Sequence, residues 1–404
     1  MKKGNNEGSI RRRSNGTWEG RYSDGRDDNG RQIQRSVYGK TRKEVAEKLN
    51  AVLHNKQTGS YVTPNRLLLK DWLIQWLQNY ASVSIRPSTY ISYEGYVHNH
   101  IIPILGDIPI QQITPAVIQN FYNQKFENGR TDGKGGLSAK TIRNLHNMLH
   151  QAMEQACING IIVNNPTHGT VIPRQEKKEM RVLSVDEQAK LLSVIHTHRL
   201  GFAILFDLAT GLRIGELCAL RWTDVNFNKG TIKISRTLQR IKKKLNELEE
   251  IDEDDEDTCS TTLIEGNVKT PKGYREIPVS QNVWTMLLEH RERQNQEYMS
   301  LGVPIMPNGF VFSMPFGTCV EPHTMRDALN YLLAVAEIEH ANFHALRHTF
   351  ATRAIENGVN IKALSDILGH ATVQITLPVP NSNTKPVAVH TDMNIHLTTI
   401  LGDT

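Results

Sequence analysis

Hydrophobic periodicity changes twice along this chain, and that excludes a single core. Residues 9–39 alternate in short runs broken by Asn15-Gly16, Asp24-Gly25 and Asn29-Gly30, the strongest short-range signal for β-hairpins. From residue 66 to 166 the period becomes helical: Leu69, Trp72, Leu73, Trp76 and Leu77 share one stripe, and Ile142, Leu145, Leu149, Ala152, Met153 and Ala156 share another. A polar stretch with two prolines and four cations, 166–182, follows and reads as an exposed linker. From Ser184 helical patterns resume, interrupted by strand-like runs near 231–236 and 275–279. At 404 residues the chain has room for two or three domains of ordinary size. The expected fold is multidomain α+β: a small three-stranded sheet plus one helix, an all-α domain, and a mainly α domain with a small sheet.

Local signals place the helix starts. Thr41 with Glu44 and Ser184 with Glu187 have capping-box spacing. Ser88 is an expected N-cap and Pro103 an expected stop, and a Gly-rich loop at 133–136 precedes Ser138 and the next helical stripe. Thr114-Pro115 places an N-cap ahead of proline in the first turn. Gly59 and Gly160 mark helix ends. In the small sheet Trp18 is expected in the core, while the arginines Arg11, Arg12, Arg13, Arg21 and Arg35 are expected on a basic face.

Charge narrows the partner. The formal net charge is only +5, but residues 1–62 carry +7 and residues 247–257 carry −9, which leaves +14 on everything outside that acidic run. A basic body with one acidic insert suits an anionic polymer, most often nucleic acid. The insert itself reads as a solvated hairpin extension. No apolar run approaches the roughly 18 residues of a membrane helix. The N-terminus lacks the apolar segment of a secretory signal. Cys157, Cys218, Cys259 and Cys319 are too scattered for a CxxC metal site or a disulfide scaffold, so reduced thiols in a cytoplasmic protein are expected.

Four ordered blocks carry the chemistry. They are Thr210-Gly211-Leu212-Arg213-Ile214-Gly215-Glu216-Leu217, then Val268-Lys269-Thr270-Pro271-Lys272 before a strand, then His344-Ala345-Leu346-Arg347-His348, then Leu368-Gly369-His370. The set resembles the catalytic domain of the tyrosine site-specific recombinases, the integrases of phages and conjugative transposons. The resemblance runs to about residue 377. It implies an arm-site DNA-binding domain at 1–62, a helical core-site-binding domain at 66–166, a linker at 167–182 and a catalytic domain at 183–377, with 378–404 an atypical tail. The implied partner is duplex DNA with core and arm sites, bound by a homotetramer, with an excisionase as an accessory; no metal, nucleotide, membrane or small-molecule substrate enters. The implied location is the bacterial cytoplasm, at the nucleoid.

The chemistry explains the residue types. In-line attack on a phosphodiester loads negative charge onto two nonbridging oxygens, and guanidinium forks bind such a pair bidentately where lysine cannot. By resemblance Arg213 and Arg347 supply the forks. His344 is one helical turn before Arg347 and shares its face. Lys269 is the implied general acid for the leaving 5′ oxygen, with Lys272 its rival. His370 is a second phosphate donor, and Glu216 orients its neighbours. Two blander readings stand beside these. Arg213 and Glu216 suit an ordinary i,i+3 surface pair. His344, His348 and His370 suit a metal hydrolase, although no HExxH pattern accompanies them; His348 also suits an ordinary core position.

One part is missing. The family nucleophile is a tyrosine nine or ten residues after the histidine matching His370, which here falls at Val379 or Pro380. None of the 11 tyrosines follows Tyr331, and Pro378, Pro380 and Pro386 exclude one helix across the segment. The expectation is a chain that binds DNA without cutting it, either a defective integrase or a DNA-binding pseudo-recombinase acting as repressor or decoy at attachment sites.

Overall fold

The computed structural model describes residues 8–26, 29–58, 61–63, 65–176, 180–242, 261–268 and 271–370. Two compact units divide at residues 176/177, and each is described by itself.

Unit one opens with an antiparallel sheet, β1 (Ser9–Arg12), β2 (Trp18–Arg26) and β3 (Gln32–Gly39), in the order β1-β2-β3. The helix α1 (Arg42–Gln57) lies against it through buried Val45 and Leu49. Gly20 allows the close approach, since a Cβ there would stand 2.8 Å from Val45 Cγ1. The buried aromatic of this domain is Tyr22 rather than Trp18, which is only half-buried on the first residue of β2. Thr41 caps α1 by accepting the Glu44 N–H at 3.2 Å, but Glu44 reaches back to Lys40 N–H, one residue beyond a capping box.

The rest of unit one is helical. It runs through α2 (Leu69–Trp76), α3 (Pro87–Tyr96), α4 (Pro115–Asn128) and α5 (Ala139–Ile158). Thr114 caps α4 as expected, and Ser138 caps α5. Trp72, Phe121, Tyr122, Leu145 and Met148 fill the core. Two expectations fail locally. The α3 helix starts at Pro87 behind Arg86, which leaves Ser88 inside the first turn. Pro103 does not stop it, because Val97–Ile101 form a wider π turn that leads into a further helical turn, Ile102–Leu105, where proline is tolerated in the first turn. The start of the expected linker is also not exposed: Pro166 and Thr167 are buried.

Unit two holds α6 (Val185–Val194), α7 (Gly201–Thr210) and α8 (Ile214–Cys218), then a sheet of β4 (Val225–Asn226), β5 (Thr231–Ile234) and β8 (Arg275–Pro278). A separate hairpin pairs β6 (Arg236–Lys242) with β7 (Thr261–Asn267); the acidic run between them lies outside the described residues. Then come α9 (Gln281–Leu301), α10 (Pro322–Val335), α11 (His344–Glu356) and α12 (Ile361–Leu368). The capping box at Ser184 and Glu187 forms. α7 is apolar nearly all round and occupies the centre of the core with Ile204, Phe206 and Leu208, packed among Leu217, Ile232, Phe312, Leu329 and Leu346. Among the described residues no helix is long and apolar enough to cross a membrane.

A candidate phosphodiester-binding site

The site grows from three helix ends. α7 stops at Gly211 in the left-handed conformation, φ 61°, where a Cβ would strike the Phe350 ring at 2.5 Å. The chain turns there and places Arg213 at the N-cap of α8. α11 carries Arg347 on its buried face, with His344 at its exposed first turn. α12 ends at Gly369, φ 64°, and delivers His370 directly after it.

Arginines hold these ends together. The last carbonyls of a helix have no partner within it, and here three successive ones are each capped by a different guanidinium. Arg275 Nε donates to Ile367 O at 2.5 Å, Arg347 Nη2 to Leu368 O at 2.6 Å, and Arg213 Nη2 to Gly369 O at 3.2 Å. Cations also suit this negative end of the helix dipole. Arg347 reaches the other way too, donating Nη1 to Gly211 O at 2.7 Å, so one buried side chain joins the end of α7 to the end of α12.

Glu216 orders the arginines. Its carboxylate accepts from Arg213 Nη1 at 2.8 Å, from Arg275 Nη2 at 2.8 Å and from the Arg213 backbone N–H at 3.1 Å. Burial raises its pKa, but Arg275 and Arg213 outweigh that and hold it below the usual carboxylate range. With Glu216 4% exposed, this is no ordinary surface pair. Asp207, on α7, is fully buried with no hydrogen-bond partner on either oxygen among the described residues, and burial pushes its carboxyl well above the usual range.

The functional side chains differ in access. Arg213 keeps 41% of its side chain exposed, while Arg347 is 1% exposed. Burial lowers Arg347 to about 9, which leaves it charged at neutral pH. His344 and His348 meet edge to face, ring centroids 4.5 Å apart, with His348 half-buried. Desolvation, then the neighbouring cations, holds His344 and His370 each at about 4, so both are neutral imidazoles at pH 7. Lys269 lies outside the described residues, as does everything after His370, including Val379 and Pro380. The backbone of its rival Lys272 abuts the pocket: a Cβ on Gly369 would stand 2.9 Å from Lys272 O.

The structure therefore brings Arg213, Glu216, Arg347 and His370 into one connected frame, with His344 on the same helix as Arg347. It adds Arg275, which the four sequence blocks leave out as part of a strand. The signal is present in the strand's alternation, since Arg275 and buried Ile277 share one face of β8. The five N-terminal arginines lie in unit one, on β1, the turn after it, β2 and β3. Arg11 and Arg21 bind Glu19 at 2.6 and 3.1 Å, and Arg35 binds Asp24 at 2.5 Å. Arg12 and Arg13 are exposed, with Arg13 over the Tyr38 ring at 5.4 Å.

Comparison with known proteins agrees with this geometry. Residues 181–379 match the phage integrase family, and residues 68–126 match the phage integrase N-terminal SAM-like domain. A tyrosine recombinase XerC-like protein of Caldanaerobacter subterraneus subsp. tengcongensis is 32% identical over 92% of this chain and 95% of its own length. The ICEBs1 integrase of Bacillus subtilis is 24% identical over 92% of this chain and 94% of its own. Among solved structures, the Tn1549 transposon integrase in complex with a circular intermediate DNA superposes with a TM-score of 0.61, at 22% identity over 77% of this chain and 93% of that one. A lambda integrase dimer bound to a COC′ core site gives 0.56, at 18% identity over 94% and 97% of the two chains. Full-length similarity at that level and an ordered arginine–histidine frame place this chain in the phage integrase family of tyrosine recombinases.

Proposed function

We propose that this protein binds integrase attachment sites on duplex DNA and holds a scissile phosphodiester in the Arg213–Arg347 frame without cutting the strand. One observation carries the reading: Arg213, Arg347 and their support by Glu216 and Arg275 are assembled, while the sequence holds no tyrosine after Tyr331. Arg347 has five N–H groups and spends two on Gly211 O and Leu368 O, so three remain for a phosphate oxygen. Arg213, more open, takes the second nonbridging oxygen. His344 and His370 add neutral N–H donors. Lys269 is assigned as general acid for the 5′ oxygen, ahead of Lys272. Glu216 and Arg275 act by positioning: they fix the Arg213 fork before DNA arrives, which removes reorganisation cost from binding. No cofactor is required, since in the family a phosphotyrosine stores the bond energy for rejoining.

The domains follow from this reading. The sheet of 1–62 binds arm-type sites through Arg11, Arg12, Arg13, Arg21 and Arg35. The helical domain 66–166 binds core-type sites, with 167–182 as the connection and 183–377 as the catalytic domain. Lambda integrase is known as a dimer on a core site and as a tetramer on a Holliday junction. A homotetramer on DNA is assigned to this chain too, weakened by the unlike tail 378–404. An excisionase and a cytoplasmic, nucleoid-associated location complete the assignment.

The test is a nicked attachment-site suicide substrate. The expected outcome is a shifted complex on a native gel and no SDS-resistant adduct. A covalent adduct overturns the loss of cleavage. The sequence retains all the pocket charges, which favours recent loss over a long-established decoy that would be free to lose them. Reading the nucleotide sequence near codon 377 separates the two: a shifted frame encoding a tyrosine supports recent loss, and its absence supports the repressor or decoy.

A further inference from the structure

A second cluster of chemistry-bearing side chains lies in unit one, outside the phosphate pocket. His150 and Glu154 are one turn apart on α5, and His168 follows in the segment that leaves the helical domain. One ligand atom from each lies within 4.8 Å of the other two. We propose that His150, Glu154 and His168 bind a divalent transition-metal ion of the zinc class, and that the ion clamps the exit segment 165–170 onto α5.

The hydrogen bonds around His150 prepare it as a ligand. Asn165 is buried and accepts the Thr167 N–H on Oδ1 at 3.0 Å, which fixes the orientation of its amide. The Thr167 hydroxyl donates its one proton to the same Oδ1 at 2.6 Å. The two Asn165 Nδ2 hydrogens go to His150 O at 3.1 Å and Glu154 Oε2 at 2.9 Å. His150 Nδ1 stands 2.7 Å from Thr167 Oγ1 and 3.3 Å from Asn165 Nδ2. When Nδ1 donates to Thr167 Oγ1, the lone pair of the ring lies on Nε2, the tautomer a metal takes, with its other nitrogen held by an outer hydrogen bond. Glu154 Oε2 is occupied by Asn165, so Oε1 is its open ligand atom.

The surroundings fit the same chemistry. His146 stacks on His150 at 5.9 Å, and His168 packs on it at 5.1 Å. Two imidazoles with one carboxylate favour zinc-class ions over magnesium or calcium, which take all-oxygen shells. Zinc–nitrogen bonds of about 2.0–2.1 Å require the three ligand atoms to draw closer than they now stand. Glu154 and His168 are exposed and have the freedom to do so, and their exposure is also the entry path. A water completes the fourth position. His150 and Glu154 are both tied to Asn165 by hydrogen bonds, whereas His168 meets His150 through ring packing. The ion would add a direct polar tie between the His168 side chain and α5.

The experiment is a zinc chloride titration of the full chain by calorimetry after chelator treatment, with cobalt absorption as a second readout. One tight equivalent is expected, with a rise in melting temperature. His168→Ala removes an exposed side chain and is expected to weaken binding by about tenfold or more, the scale seen even for outer-sphere changes at metal sites. Glu154→Gln keeps an oxygen for Asn165 and so keeps the fold, yet loses the charge; it is expected to weaken binding similarly with an unchanged metal-free melting temperature. His344→Ala, in the other histidine cluster, is expected to leave the affinity unchanged. Absence of a tight equivalent, wild-type affinity in His168→Ala and Glu154→Gln, or loss of binding in His344→Ala instead, each overturns the proposal.

Discussion

Two of the arginine–carboxylate clusters in this protein, one in the N-terminal sheet and one in the phosphate pocket, are built differently. In the N-terminal sheet Glu19 takes Arg11 and Arg21, and Asp24 takes Arg35 and Lys56. The three arginines there keep 38–54% of their side chains exposed. In the pocket Glu216 takes Arg213 and Arg275, and these two, with Arg347, continue onto backbone carbonyls at the end of α12. The sheet's arginines are open to solvent on one side while Glu19 and Asp24 are buried, so a cation that turned to a DNA phosphate would take a donor from a buried carboxylate. A guanidinium pinned by backbone cannot be re-aimed. On the proposed function, the first arrangement would supply exposed charge for affinity and the second fixed geometry for one oxygen pair.

The largest test breaks the pocket at its buried end. Arg347→Ala strands Gly211 O and Leu368 O and removes the guanidinium beside the buried Asp207 carboxyl, while Glu216 keeps Arg213 and Arg275. Breaking a buried charge network of this kind costs about 3–5 kcal/mol, which urea unfolding will read. Arg347→Lys is expected to recover little, because a single ammonium does not span two carbonyls on opposite sides of it. Recovery to wild-type stability would show that charge, not the fork, is what the pocket needs.

The next effect comes from pH. His290, half-buried and bonded through Nε2 to Val311 O at 2.8 Å, is held at about 4 by desolvation, as are His344 and His370. Between about 4 and the unfolded value near 6.5 the unfolded chain binds more protons than the native one, so native stability is whole above that window and falls as pH drops through it. His290 alone contributes at most about 3 kcal/mol. The N-terminal pairs titrate elsewhere: Glu19 is held far below the usual range by Arg11 and Ser36. A urea midpoint that falls between pH 7 and pH 5 is expected, and a flat one would remove the claim that the pocket imidazoles are neutral.

The two regions also differ in how far the sequence reveals them. Caps at Thr114 and Ser184 are legible because a cap is a contact over three residues. The blocks around Arg213 and Arg347 are legible because residue type and order survive in a linear string. What stays hidden is convergence. Nothing local says that Ile367, Leu368 and Gly369 each meet a different arginine, from positions as far back as 213. The π turn at Val97–Ile101 hides for another reason: it widens the helix ahead of Pro103, so a residue that normally stops a helix is absorbed. Trp18 misleads because size suggests core, while its place on the first residue of β2 leaves it half-buried and gives the interior to Tyr22.

A smaller change probes the shared carboxylate. Glu216→Gln keeps the side chain's shape and one acceptor but removes the charge facing Arg213 and Arg275. Hydrogen bonds to a charged group contribute about 1.5–3 kcal/mol, so a loss of about 2 kcal/mol is expected in urea unfolding. DNA affinity is expected to fall as well, because the Arg213 fork is no longer held in place. A variant as stable as wild type but weaker on DNA would make Glu216 purely an aiming group.

The smallest effects distinguish mobile charge from paired charge within the sheet itself. Removing one cation that neutralises a DNA phosphate should reduce the slope of log affinity against log salt by about 0.9. Arg12 and Arg13 are exposed and, among the described residues, have no carboxylate partner, so Arg12→Ala and Arg13→Ala are each expected to remove about one such unit. Arg11 must first give up Glu19, which is itself 3% exposed and already shared with Arg21 and Ser36. Whenever Arg11 turns to a phosphate it therefore leaves a buried carboxylate with one donor fewer, and Arg11→Ala should change the slope less than Arg12→Ala does. Equal slopes for the two variants would mean that the Glu19 pair opens at no cost. The sheet's paired and unpaired arginines would then be equivalent, and the contrast with the pocket would rest on burial alone.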